Sequence, residues 1–240
     1  MTASRMVSGS ELIAKALSLE GVNTVFTLAG DHILPVLDVM ADRDFRFIDT
    51  RHEQAAVHMA DAWGRITGRP GVAMYTTPGF ANAIPGLANA MHSGSPLLSI
   101  SGCAELLELG RGAMQEIDQI GMALPVTKGS WMVTDARRIA DMISTALRVA
   151  YEGRRGPVHL TIPVDVQQQL VPEDEVAFYS PGEYRDIGAP AASANRIRDA
   201  VDILHEAERP LIIVGSAGAY ARSGDTLESL IETTPCPAYD

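Results

Sequence analysis

The chain has 240 residues, 46% hydrophobic and 20% charged, a globular composition long enough for one large domain or one domain and part of another. With a formal net charge of −11 and no cluster of Lys and Arg dense enough to follow a phosphate backbone, a nucleic-acid partner is excluded. Cys103 and Cys236 are far apart and show no CxxC or Cys/His spacing, so neither a disulfide framework nor a zinc site is indicated; with neither a signal-peptide core nor a run of about 18 apolar residues, a cytoplasmic protein with no membrane partner is expected.

Ser8 and Glu11 have capping-box spacing, Leu12, Ala16 and Leu19 share a helical face, and Gly21 sits at the C-cap, which predicts a helix over about 9–20. VNTVFTL then reads as a buried strand, ILPVLDVMAD as a short helix, FRFIDT as a strand, and EQAAVHMADAWGRITG as a helix closed by Gly68. GVAMYTT, a helix through AIPGLANAMHSG, the strand PLLSISG, an irregular segment, the strand SWMV, the helix DARRIADMISTALRVAYEG and the strand PVHLTIP follow. Short apolar strands alternating with helices define the class: α/β, a parallel sheet flanked by helices.

From about Val164 to Ala192 the periodicity dissolves into Pro, Gly and acidic residues, and a linker is expected over 171–192 after a domain spanning 1–170. A second, incomplete α/β domain, 193–240, opens with SANRIRDAVDILHEAE as helix, PLIIVG as buried strand and DTLESLIETT as helix. About fifty residues with one clear strand cannot cover both faces of a parallel sheet, so completion from elsewhere is expected. The turn GSAGAYARSG lacks GxGxxG and gives only a weak indication of a nucleotide.

RHEQAAVH, residues 51–58, resembles a zinc-protease motif only superficially. His52 and His58 are six apart, roughly 240° around a helix, and cannot share a metal. No metal-ligating residue is therefore assigned. On a helix starting near Glu53 the same face carries Val57, Ala60 and Gly64, whereas Gln54, His58, Asp61 and Arg65 form a polar stripe. Glu53 thus points toward the packed side, where its charged form is costly, while a helix N-terminus favours that form. The alternative is that Glu53 only compensates the helix dipole.

These motifs, taken with AMQEIDQIGMALPVTK and RRGPVHLTIPVDVQ, resemble the pyrimidine-binding domain of thiamine-diphosphate enzymes of the acetolactate synthase and benzaldehyde lyase family, over residues 8 to 168. DILHEAERPLIIVGSAGA resembles the start of that family's middle domain. The resemblance implies thiamine diphosphate as cofactor and Glu53 as the carboxylate that exchanges a proton with its aminopyrimidine ring. It implies further cofactor contacts from Ala29, Gly30, Tyr75, Pro78, Gly79 and Asn82, with Thr77 standing where a glycine is usual. Gln115 matches a glutamine near the reacting centre, and without the resemblance it reads as a polar loop residue. His32 departs from the small residue of acetolactate synthases and matches the substrate-facing histidine of the benzaldehyde lyase branch, or else is a structural loop residue. His92 and His159 are read as core or surface residues without a catalytic role.

No GDG motif occurs in the 240 residues, so Mg2+ and the diphosphate are expected to be held by a diphosphate-binding domain outside them; FAD is compatible with the resemblance but no residue indicates it. The implied reaction forms or cleaves a C–C bond next to a carbonyl, by acetolactate-type carboligation or decarboxylation of 2-keto acids, or by acyloin cleavage. Partners implied are a 2-keto acid, aldehyde or acyloin, and a homodimer, a homotetramer or a complementary C-terminal chain. The chain alone is expected to be inactive, as an N-terminal fragment, as half of a split enzyme, or as a noncatalytic assembly or regulatory subunit.

Overall fold

A computed structural model describes residues 4–186, 191–215, 218, 224–233 and 238–239. Contacts divide the chain into two units, residues 1–185 and 186–240. The first opens with a short strand, β1 (Met6–Ser8), and helix α1 (Gly9–Leu19). The capping box closes as expected: Ser8 Oγ accepts from the Glu11 amide at 3.2 Å, and Glu11 Oε2 accepts from the Ser8 amide at 2.8 Å.

The strand and helix alternation then unfolds as β2 (Thr24–Leu28), α2 (Leu34–Ala41), β3 (Arg46–Asp49), α3 (Glu53–Thr67), β4 (Gly71–Tyr75), α4 (Thr77–Ser93) and β5 (Leu97–Cys103). It closes with α5 (Gln119–Ala123), β6 (Ser130–Met132), α6 (Ile139–Tyr151), β7 (Pro157–Pro163), α7 (Val164–Gln168), β8 (Leu170–Pro172) and α8 (Pro181–Tyr184). Gly68 and Gly94 end α3 and α4 in the left-handed region at φ 69°, which glycine adopts without steric cost. Helix α4 begins at Thr77, six residues before the expected AIPG, because Pro78 at its first turn needs no N–H partner there.

Six strands form one parallel sheet in the order β3-β2-β4-β5-β7-β6. One face is covered by α1, α2 and α6, with Leu12, Ile13, Leu17, Val36, Ile143 and Leu147 fully or almost fully buried. The other is covered by α3 and α4 through Val57, Ala60, Phe80 and Leu87. Cover on both faces explains why every residue of β4, β5 and β7 is buried; β4 is almost wholly apolar, while β5 and β7 alternate apolar residues with Ser99, Ser101, His159 and Thr161, which hydrogen-bond to one another.

The first part of the expected linker is structured. β8 pairs antiparallel with β1, Lys15 Nζ donates to Glu173 at 2.8 Å, and Arg185 pairs with Glu20 at 2.7 Å with side chains only 5% and 2% exposed. Residues 171–185 therefore pack on the first unit, held by partners about 160 positions away that no local pattern reveals.

The second unit contains α9 (Ala194–Glu206), β9 (Ile212–Ile213), α10 (Gly224–Thr233) and β10 (Ala238–Tyr239), the two strands pairing in parallel. The expected buried strand PLIIVG is instead open, with Leu211 55% and Ile213 76% exposed, since two short strands offer no second layer to cover it. The turn GSAGAYARSG falls mainly on residues outside the described set, as does Cys236.

Candidate functional site

β2 and β4 are neighbours in the sheet, but the chain leaves β2 for β3 on one side and returns to β4 on the other. Loops leaving these two strands therefore diverge at their carboxyl ends, the place where open parallel sheets form a crevice. The segment after β2 brings Ala29, Gly30 and His32; after β4 come Thr76 and the first turn of α4 with Thr77, Pro78 and Gly79. Glu53 follows β3 at the first position of α3.

The Thr50 amide donates to the Thr27 carbonyl at 2.9 Å, and its Oγ1, 3.1 Å from the carbonyls of both Thr27 and His52, shares its one hydrogen between them, which pins the β3–α3 turn against β2. His52 caps α3 by accepting the Gln54 amide on Nδ1 at 3.2 Å, its structural role. Glu53 is 6% exposed, and Val57, Ala60 and Gly64 on the same face are buried, as the helical periodicity requires. Asn82 Nδ2 donates to Glu53 Oε2 at 2.9 Å, whereas Oε1 accepts no hydrogen bond from the described residues. A Cβ at Gly79 would lie 2.6 Å from that Oε1, so the first turn of α4 can lie over the carboxylate only as glycine. A carboxylate with one oxygen anchored and the other open beneath a glycine fits a flat ring nitrogen that donates or returns a proton.

His32 is 5% exposed, within a single turn of 3-10 helix. Its Nδ1 lies 3.1 Å from Thr76 Oγ1 and 3.2 Å from Thr77 Oγ1, its amide reaches Thr76 Oγ1 at 3.3 Å, and its carbonyl accepts from Gln167 Nε2 at 2.7 Å. A Cβ at Gly102, in β5, would stand 1.7 Å from that carbonyl oxygen. Gly30 meets Thr76 similarly closely, a Cβ there falling 2.4 Å from Cγ2. Ala29 lines a cleft of about 1000 Å³ with Asp31, Leu34, Asp49 and Gln167.

Tyr75 and Gln115 are placed otherwise. Tyr75 is fully buried, and its hydroxyl bonds Ser99 beneath the site; burial raises its phenol well above the usual range, against the Ser99 bond. Ser99 reaches His159 Nδ1 at 2.8 Å, His159 Nε2 reaches Thr161 at 3.0 Å, and Gln119 Oε1 accepts from Thr161 at 3.1 Å and from Ser101. His159 is fully buried and stacked 4.3 Å from Phe80, and burial pushes its imidazolium down to about 3. Gln115 lies on the exposed loop after β5 at φ 62°, and among the described residues no hydrogen bond joins it to Glu53 or His32.

Several contributors escape sequence reasoning. Gly102, Gln119 and Gln167 acquire their roles only from contacts 17 to 135 positions away. Asp61, on the expected polar stripe, is 1% exposed because Asn89 at 2.9 Å, Arg65 at 3.2 Å and Ser95 surround its carboxylate. Among the described residues no group of three or more His, Cys, Asp and Glu is placed to hold a metal, and no helix is long and apolar enough to cross a membrane.

Parallel sheet, switch-point crevice and shielded first-turn carboxylate define an α/β ligand-binding domain. Residues 7–122 match the family described as thiamine pyrophosphate enzyme, N-terminal TPP binding domain, and this part of the chain belongs to it. The chain is 34% identical to a probable acetolactate synthase large subunit of Methanocaldococcus jannaschii, across 96% of its own length and 39% of the relative. It is 34% identical to a 2-hydroxyacyl-CoA lyase of Arabidopsis thaliana, across 96% and 41%, and 31% identical to an oxalyl-CoA decarboxylase of Escherichia coli, across 97% and 42%. The chain thus spans about two-fifths of the length of these relatives.

Proposed function

We propose that this chain supplies the pyrimidine side of a thiamine-diphosphate site in an enzyme that forms or cleaves a C–C bond next to a carbonyl, with acetolactate synthase-like chemistry on 2-keto acids. The observation that carries this reading is Glu53: shielded, anchored on one oxygen by Asn82, and open on the other beneath Gly79. When bound, thiamine diphosphate supplies a carbon nucleophile that adds to a substrate carbonyl. Glu53 Oε1 takes and returns the proton at the pyrimidine ring, and the packed face of α3 keeps water from competing for it. Gly30, Pro78 and Gly79 let backbone approach the ring, and Ala29 shapes the adjoining wall.

Mg2+ and the diphosphate are assigned to residues outside these 240, on a homo-oligomeric partner or a complementary chain; 193–240 is assigned to the start of a middle domain. Without that complement the chain is inactive. Gln115, on its exposed loop, is assigned to the substrate side of the assembled site. Two cysteines without disulfide or metal-site spacing support a reducing, cytoplasmic setting, and the net charge of −11 argues against a nucleic-acid partner. A second reading, cleavage of a 2-hydroxyacyl or acyloin substrate, is favoured by His32 at the same crevice.

The test mixes the chain with thiamine diphosphate, Mg2+ and a chain carrying the complementary diphosphate domain, then follows 2-keto acid consumption and acyloin cleavage. Activity that falls by about 10²-fold or more in Glu53→Gln is expected. Equal activity of the variant refutes the role of Glu53, and a bound cofactor without turnover favours a noncatalytic subunit.

A further inference from the structure

The Thr77 hydroxyl, at the start of α4, does two things at once: it donates to the Gly102 carbonyl at 3.0 Å and lies 3.2 Å from His32 Nδ1. A hydroxyl has one hydrogen, and a carbonyl can only accept. With that hydrogen committed to Gly102, Thr77 can meet His32 Nδ1 only as an acceptor, so Nδ1 must carry the proton. Thr76 Oγ1, 3.1 Å from the same nitrogen, does not decide the matter, since it accepts the His32 amide and is free to accept or donate at Nδ1. His32 Nε2 makes no hydrogen bond among the described residues.

We propose that Thr77 is a positioning residue that fixes His32 as the Nδ1-protonated tautomer, leaving Nε2 as a hydrogen-bond acceptor for a substrate hydroxyl, as a 2-hydroxy acid or acyloin would offer. The backbone enforces the same orientation. The His32 carbonyl is clamped between Gln167 Nε2 at 2.7 Å and the side-chain-free surface of Gly102, which fixes the backbone from which the ring reaches the two threonines. Removing the Thr77 hydroxyl leaves Thr76, which can accept or donate, as the one hydroxyl at Nδ1, and the balance of the neutral ring shifts toward the form protonated at Nε2.

What Nε2 faces rests on the thiamine-enzyme reading; the tautomer does not, because it is measured in the chain without cofactor. Long-range 1H–15N correlation spectra at a pH above histidine titration distinguish the two neutral forms, with the His32 signal assigned from its loss in His32→Gln. Wild type is expected to show a pyrrole-type Nδ1 and a pyridine-type Nε2. Thr77→Val is expected to lower the ratio of the Nδ1-protonated to the Nε2-protonated form by roughly fivefold, the worth of one hydrogen bond, and Thr77→Ser to restore it. A wild-type ring protonated at Nε2 overturns the proposal, as does an unchanged ratio in Thr77→Val.

Discussion

His159 makes the first unit sensitive to mild acid. It is fully buried against Phe80 and its polar neighbours are Ser99, Ser101 and Thr161, none of which stabilises a cation strongly, so its folded-state pKa drops from 6.5 to about 3. The neutral ring is the form that fits. Above pH 6.5 folded and unfolded chains are both neutral at this site and it costs nothing. As pH falls below 6.5 the unfolded chain takes up a proton that the folded chain refuses, and stability is lost progressively toward pH 3. Between pH 7 and pH 5 the loss is about 2 kcal/mol, from about 1.4 kcal/mol per pH unit over the interval below 6.5. Trp63 and Trp131, both in the first unit, report urea unfolding by fluorescence. His159→Gln lowers stability at pH 7 through lost packing but removes this slope, so the difference between wild type and variant narrows by about 2 kcal/mol at pH 5. The other five histidines are common to both proteins and cancel. Parallel pH profiles for the two proteins, or a His159 resonance titrating near 6, refute the reasoning.

Gly102→Ala would bring a Cβ within 1.7 Å of the His32 carbonyl oxygen, a backbone atom that cannot step aside. A loss of about 2 kcal/mol or more in urea unfolding, with a displaced His32 resonance, is expected, and an unchanged midpoint argues against the packing described. Arg185→Met leaves Glu20 buried without its cation, which should cost about 3 kcal/mol. Melting of the first unit shows it; an unchanged transition means that residues 173–185 do not anchor there as described.

The sequence makes the sheet legible because its central strands are buried on both faces and α3 and α4 end at Gly68 and Gly94, both of which are local signals. Glu53 is legible for the same reason: one helical period places it with Val57, Ala60 and Gly64. Asp61 is misleading because the same period sets it among polar residues, while its burial depends on Asn89 and Ser95 from a different helix and the turn after it. The docked segment 171–185 and the open strand at Ile212 show the same limit, since composition tells neither which distant partners will cover a chain nor which will not. Thr77 carries no local signal of its role, which requires His32 and Gly102, 45 and 25 positions away, to be brought to one point.

The central claim, that Glu53 relays a proton for a thiamine cofactor, is tested most directly by the exchange of the cofactor's C2 proton into deuterated water, followed by NMR in the assembled complex with the complementary diphosphate-binding chain and Mg2+. Wild type should exchange at least about 10²-fold faster than Glu53→Gln with the cofactor equally bound in both. Equal exchange rates in the two complexes would contradict the account.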